Sequence, residues 1–216
     1  NIPHKDVPAG SDDKDNKIIY ESNTSLNKNL TEPHWDLAKK YDIIDIELGT
    51  KITGSGFPVY KDKGAKLQRA LISFFLDCNT DAGYEEVQIP HLVNENSAYG
   101  TGQLPDKEGQ MYEVTSENLY LIPTAEVPIT NIFRDVIIDA SNLPVMRTGY
   151  TPCFRREAGS YGSDVRGLNR LHQFDKVEIV KIEHPKKSYD SLQKMKDHIE
   201  GIIKKLELPY SCLLYT

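Results

Sequence analysis

Two long stretches of strand character, Pro144 to Glu157 and Leu168 to Ile182, are joined by a charged link, Ala158 to Gly167, that contains Gly159, Gly162 and Gly167. Consecutive strands without a long crossover between them pair antiparallel, and this link is longer than a tight turn requires. Side chains alternate faces along a strand. Arg155 and Glu157 therefore share one face, as do Arg170, His172, Phe174, Lys176 and Glu178 on the return strand. The other face carries Leu171, Val177 and Ile179, with Gln173 and Asp175 breaking the alternation. A sheet face this rich in charge either meets water, its ions paired across strands, or lines a polar pocket. Arginine offers a planar fork for phosphate oxygens, a phenylalanine ring offers a stacking surface, and a carboxylate can hold an ammonium or exocyclic amine.

Two amphipathic helices flank the hairpin. Over residues 62–82, Leu67, Ala70, Leu71, Phe74, Phe75 and Cys78 fall at helical spacing, with Asp62 as the expected cap and Gly83 as the expected stop. A strand from Tyr84 to Ile89 follows, closed by Pro90. The second helix runs from Ser188 to Leu206, with Tyr189, Leu192, Met195, Ile199, Ile202, Ile203 and Leu206 on one stripe. Between them, short strands are expected at Met111–Val114 and Asn118–Ile122, a short helix near Asn94–Tyr99, and a helix from Thr124 to about Phe133. His34 to Tyr41 reads as a short helix and Lys17–Glu21 as a strand. Strand runs linked by hairpins and flanked by long helices indicate an α+β fold with a mainly antiparallel sheet.

Hydrophobic residues make up 38% of the chain, enough for a core, and no apolar run approaches the roughly 20 residues of a membrane span. Asn1 to Gly10 lacks the apolar stretch of a signal peptide. Cys78, Cys153 and Cys212 form no CxxC pair, which argues against a zinc site or a disulfide framework and for a reducing cytoplasm. A net charge of −6 argues against broad nucleic-acid binding, though not against a local basic loop. The glycines at 54–57 lack the context of a phosphate-binding loop. The absence of an initiator Met and the apolar strand Tyr210 to Thr216, with nothing after it to pair with, suggest a piece of something longer.

Thr151 to Glu178 contains FRREAG followed by HQFDKVE, and closely resembles the second signature motif of the seryl-tRNA synthetase family. TGQLP (Thr101–Pro105), LIPTAEVP (Leu121–Pro128), the helix–strand–proline element at 64–90, and VPAG with DN (Val7–Gly10, Asp15–Asn16) resemble that family as well. The resemblance covers essentially the whole chain. It implies a class II aminoacyl-tRNA synthetase catalytic fold, partial over 34–216, with 1–33 as a lead-in after a tRNA-binding arm that lies before residue 1. The family's third motif and its metal-binding carboxylate would lie beyond Thr216.

The resemblance also assigns roles. Thr124, Ala125, Glu126 and Glu178 would line a serine pocket. Arg155 would grip the α-phosphate of ATP and carry the catalytic charge stabilisation. Arg156, Glu157, Leu171 and Phe174 would complete the ATP site, with Glu157 on the adenine amino group and Phe174 stacked on the ring. Ser160 and Arg166 would meet the tRNA acceptor end. Mg2+ is expected, held by ligands outside this chain. The implied partners are L-serine, ATP and tRNA(Ser), with a homodimer formed through 64–90, no membrane association, and little activity from the 216 residues alone. Thr124 would equally cap the helix it precedes, and Leu171 would equally serve packing. A relative that charges a carrier other than tRNA, or a non-catalytic module of the same fold, are the rival readings.

Overall fold

The computed structural model of the chain describes residues 7–22, 32–157 and 166–214. In chain order, short 3-10 turns aside, these form β1 (Lys17–Glu21), α1 (His34–Lys40), β2 (Ile44–Asp45), α2 (Ile46–Ile52), β3 (Val59–Tyr60), α3 (Asp62–Asp81), β4 (Glu85–Glu86) and β5 (Leu92–Asn94). Then come α4 (Glu95–Gly100), β6 (Glu113–Val114), β7 (Leu119–Leu121), α5 (Glu126–Asn131), β8 (Val145–Phe154), β9 (Gln173–Ile182), α6 (Ser188–Lys205) and β10 (Ser211–Leu214). The described residues divide into two compact units, one drawn from Asn1–Thr31 and Leu192–Thr216, the other from Glu32–Ser191.

The larger unit is built on the expected hairpin. β8 and β9 pair antiparallel from Val145↔Ile182 to Phe154↔Gln173, and β4 adds a parallel edge, Glu85↔Arg147. Among the described strand pairs it is the parallel exception to an antiparallel α+β arrangement. α3 crosses β8 through a polar contact in the interior. Asn79 Nδ2 donates to Thr148 Oγ1 at 2.9 Å, and that hydroxyl donates to the Glu178 carbonyl at 2.8 Å. Both side chains are buried, and burial of polar groups is tolerable because each is paired. Ile89, Ala125 and Ile129 pack together with Val87 and Val180 around them. A second sheet, β5-β7-β6, carries α4 on the cap that Asn94 Oδ1 supplies to the Ser97 amide, 2.9 Å. Val93, Ala98, Met111, Ile122 and Val127 form its core. The Phe154 amide donates to the Ile122 carbonyl at 2.9 Å and ties this core to the end of β8.

Several expectations need correction. Asp62 does not cap α3: Lys61 occupies the cap without a side-chain bond, and Asp62 opens the helix with a positive φ. The strand expected over Tyr84–Ile89 pairs only at Glu85–Glu86, although the Val87 amide still reaches the Thr148 carbonyl. The apolar stripe of α3 is buried only in part: Cys78 is buried, whereas Leu67 stays 57% exposed. α6 likewise buries Ile202 and leaves Leu192 and Ile199 exposed. α2, β2, β3 and β5 were not anticipated. They are two to seven residues long, too short for a periodic pattern to declare itself.

In the smaller unit the terminal apolar strand finds its neighbour. β10 pairs antiparallel with β1, with an irregularity between Ile18 and Tyr20. The pair closes where the Ser22 amide donates to the Tyr210 carbonyl and the Tyr210 amide donates to Ser22 Oγ, each 2.9 Å. The Tyr210 hydroxyl donates to Glu200 at 3.1 Å.

Candidate functional site

The β8–β9 ladder carries Phe174, Lys176 and Glu178 but closes at Phe154, short of Arg155 and Glu157 on one limb and of Arg170 on the other. Arg155 still donates its amide to the His172 carbonyl at 2.9 Å, but each limb then finds other partners. The Arg156 amide goes to the Gln110 carbonyl and the His172 amide to the Gly56 carbonyl, both 2.8 Å. Glu157 sits in the left-handed region at φ 48°. The expected strands through Glu157 and from Leu168 are therefore corrected. Arg155 and Glu157, like Arg170 and His172, are not brought together by a strand pleat, because carbonyls from distant loops capture the amides that would have continued it.

These irregular ends border a cleft of about 570 Å3. Thr124, Glu126, Arg155, Glu157, Arg170 and Lys176 line it, with Gln103, Glu108 and Gln110 from the preceding loop. At its floor Thr124, 5% exposed, uses its hydroxyl completely. It donates to Glu178 Oε2 at 3.0 Å, accepts from Lys176 Nζ at 2.9 Å, and accepts from the Glu126 amide at 3.3 Å. The capping reading of Thr124 is corrected: Ala125 holds the cap position of α5 without a side-chain bond, and the Thr124 hydroxyl, apart from its long contact to the Glu126 amide, is spent on Glu178 and Lys176. Lys176 reaches Glu178 at 2.6 Å, so the ammonium on the cleft wall already neutralises the carboxylate behind it. Glu126 is exposed in the first turn of α5. Ala125 is fully buried and packs against Ile89 and Ile129, so its side chain serves the core.

Arg155 is fixed at two points. Its Nε donates to the Pro123 carbonyl at 3.2 Å, and its guanidinium lies 5.2 Å from the Phe174 ring centroid. Glu157 accepts from Arg170 Nη1 at 3.2 Å with its side chain 13% exposed. Phe174 borders a neighbouring groove of about 350 Å3 with Phe57, Tyr60 and Gln68. Leu171 is half-buried, while Arg156 and Arg166 are exposed. Arg166 lies over Trp35, 4.7 Å from the ring centroid. Ser160 lies outside the described residues.

The loop that supplies Glu108 and Gln110 is organised by Asp106. Burial works against its ionisation, but amide donors from Met111, Gln110, Gly109 and Glu108 outweigh that and hold the carboxyl below its ordinary value. The Gln110 and Met111 amides reach the two oxygens at 2.9 Å each. Beneath β9, burial and then a 2.6 Å hydrogen bond to Asp175 push the Tyr150 phenol well up. Burial also raises the Cys153 thiol.

Lys176 and Arg170 had no assigned role in the sequence reading. Their signal was present, since both alternate with Phe174 and Glu178, but alternation does not say which charges face a cavity. Gln103 stands in TGQLP, one of the stretches that resemble the family, but without an assigned role, and Glu108 and Gln110 carried no signal, because a loop has no period to read.

Residues 112–215 match the family described as tRNA synthetase class II core domain (G, H, P, S and T). The chain is 52% identical over 215 residues to a serine–tRNA ligase of Salinibacter ruber, covering 99% of this chain and 50% of that protein. The chain therefore spans about half the length of the curated relatives it matches. The fold superposes on seryl-tRNA synthetase from Pyrococcus horikoshii complexed with ATP, with a TM-score of 0.93 and 32% identity over 99% of this chain and 52% of that one. It also superposes on the cytoplasmic serine–tRNA ligase of Naegleria fowleri in complex with AMP, with a TM-score of 0.89 and 27% identity over 96% and 50%.

Proposed function

The chain belongs to the serine–tRNA ligase family of class II tRNA synthetases, and on that premise we propose that its cleft binds ATP and L-serine for the formation of seryl-adenylate and the charging of tRNA(Ser). The observation that carries this reading is the convergence of Thr124, Lys176 and Glu178 at one end of the cleft with Arg155 and Glu157 at its rim. The first group offers a carboxylate and a hydroxyl to the serine ammonium, with Glu126 beside them. The second offers a clamped guanidinium to phosphate and a carboxylate to the adenine amine.

Activation joins a serine carboxylate oxygen to the α-phosphorus while the bond to the pyrophosphate oxygen breaks. Transfer then joins a ribose hydroxyl oxygen of the tRNA to the acyl carbon, with release of AMP and the hydroxyl proton. Neither step needs a nucleophile from the chain. Arg155 acts by lying where charge grows on the α-phosphate, its plane set beforehand by Pro123 and Phe174. An ammonium entering the floor would exchange with Lys176 on Glu178. Among the described residues no three His, Cys, Asp or Glu side chains converge to hold a metal ion; the Mg2+ that would accompany ATP is proposed to take its protein ligands from outside this chain. Arg166 and the link before it are read as the tRNA-facing edge, and exposed Leu67 on α3 as part of a homodimer face. No helix among the described residues is long and apolar enough to cross a membrane; a cytoplasmic site is part of the proposal.

The test is serine-dependent ATP–pyrophosphate exchange in a protein of the relatives' full length that carries this chain. Arg155→Ala should lower turnover at saturating ATP and serine by about 100- to 1000-fold. Near-normal turnover would refute the role of Arg155, and exchange driven by another amino acid would refute serine as the substrate.

A further inference from the structure

Residues 166–172, the limb leading back into β9, are held from outside the hairpin. At one end the Leu168 amide donates to His34 Nε2 at 2.8 Å. The Arg166 guanidinium lies over Trp35 at 4.7 Å, and His34 meets Trp35 edge-on with ring centroids 4.9 Å apart. Gly167, at φ 72°, fits only because it has no side chain: a Cβ there would stand 2.2 Å from His34 Nε2. At the other end the Tyr112 hydroxyl and His172 Nδ1 lie 2.6 Å apart, and the His172 amide reaches the Gly56 carbonyl at 2.8 Å. Between the two clamps stands Arg170, on the cleft wall and paired with Glu157.

A side chain midway along a limb with no ladder of its own can be placed only by fixing the limb on both sides of it. We propose that His34 and Trp35, at the start of α1, are positioning residues: they anchor the Arg166–Leu168 turn and so hold Arg170 at the cleft, where its guanidinium meets an anionic ligand. The placement rests on the reading of the cleft as an ATP site. His34 acts as an acceptor, so its Nε2 carries no proton in this contact. Its part can therefore be taken by another acceptor at the same reach, such as the Gln Oε1.

The experiment compares the parent chain with His34→Ala, His34→Gln and Arg166→Ala, the last an exposed change that leaves the core untouched. Hydrogen exchange at the Leu168 amide and the Arg170 Nε–H resonance are followed by NMR in the chain, and ATP binding by calorimetry in a protein of the relatives' full length that carries it. Trp35 is the sole tryptophan of the chain, so its emission reports loss of the Arg166 contact directly. His34→Ala should speed Leu168 exchange, shift the Arg170 resonance and weaken ATP binding about tenfold, the worth of one charge-assisted hydrogen bond. His34→Gln should restore all three. Arg166→Ala should alter Trp35 emission and weaken ATP in the same direction. If Leu168 were freed while the Arg170 resonance stayed in place and ATP affinity stayed within about twofold, the proposal would be overturned. Failure of the parent protein of full length to take up ATP would count against the nucleotide reading instead. The two ligand-free NMR readouts then decide the anchor, which falls if the Arg170 resonance does not move.

Discussion

Replacing Thr124 by Val removes one oxygen from the centre of the site and leaves the shape of the residue in place. The hydroxyl joins the Glu178 carboxylate, the Lys176 ammonium and the Glu126 amide. Hydrogen bonds to charged groups are worth about 1.5–3 kcal/mol each and neutral ones about 1. Two facts reduce the total. The contact to the Glu126 amide is long at 3.3 Å, and Lys176 and Glu178 keep each other at 2.6 Å with side chains 34% and 19% exposed, so water makes good part of the loss. The expected cost is about 2 kcal/mol, which for a chain of this size lowers the melting temperature by about 4–8 °C. Thr124→Ser keeps the oxygen and deletes a buried methyl, costing about 0.8 kcal/mol. Urea unfolding followed by far-UV circular dichroism, with unchanged slope for all three proteins, measures both differences. If Thr124→Val lost less than about 0.5 kcal/mol, or Thr124→Ser lost more than Thr124→Val, the hydroxyl would not be the keystone of the floor.

Phe174→Ala, assayed by exchange beside Arg155→Ala, should raise the ATP concentration needed for half-saturation and leave saturated turnover largely intact. The reverse pattern would mean that the ring serves the chemical step by holding Arg155. The Asp106 carboxyl titrates in the folded chain below its ordinary 3.8. Its stabilising contribution is therefore complete above that pH and lost as pH falls through the folded value. Acid titration of Asp106→Asn should accordingly fall less steeply below that pH than the parent, and identical curves would remove the carboxylate from the loop's support. Iodoacetamide should label half-exposed Cys212 first, with buried Cys78 and Cys153 reacting only on unfolding. Early mass shifts at Cys153 would contradict its burial.

Elements with a sustained period were legible in the sequence. The 3.6-residue stripes located α3 and α6, and the alternation around Phe174 located β9, because helix and strand geometry write those repeats directly into the order of residues. FRREAG with HQFDKVE pointed to the family, and the chain's relatives bear that out. What no period encodes was decided by tertiary contact. The turn of the hairpin limbs at Arg155 and His172 depends on the carbonyls of Gln110 and Gly56. The burial of Thr124 under Lys176 and Glu178 depends on α5 lying against β9. The hold of His34 on Leu168 joins residues 134 positions apart. Local sequence sets which conformations a segment can adopt cheaply, but which amide finds which carbonyl at such separations is settled only when the rest of the chain has packed and closed the alternatives.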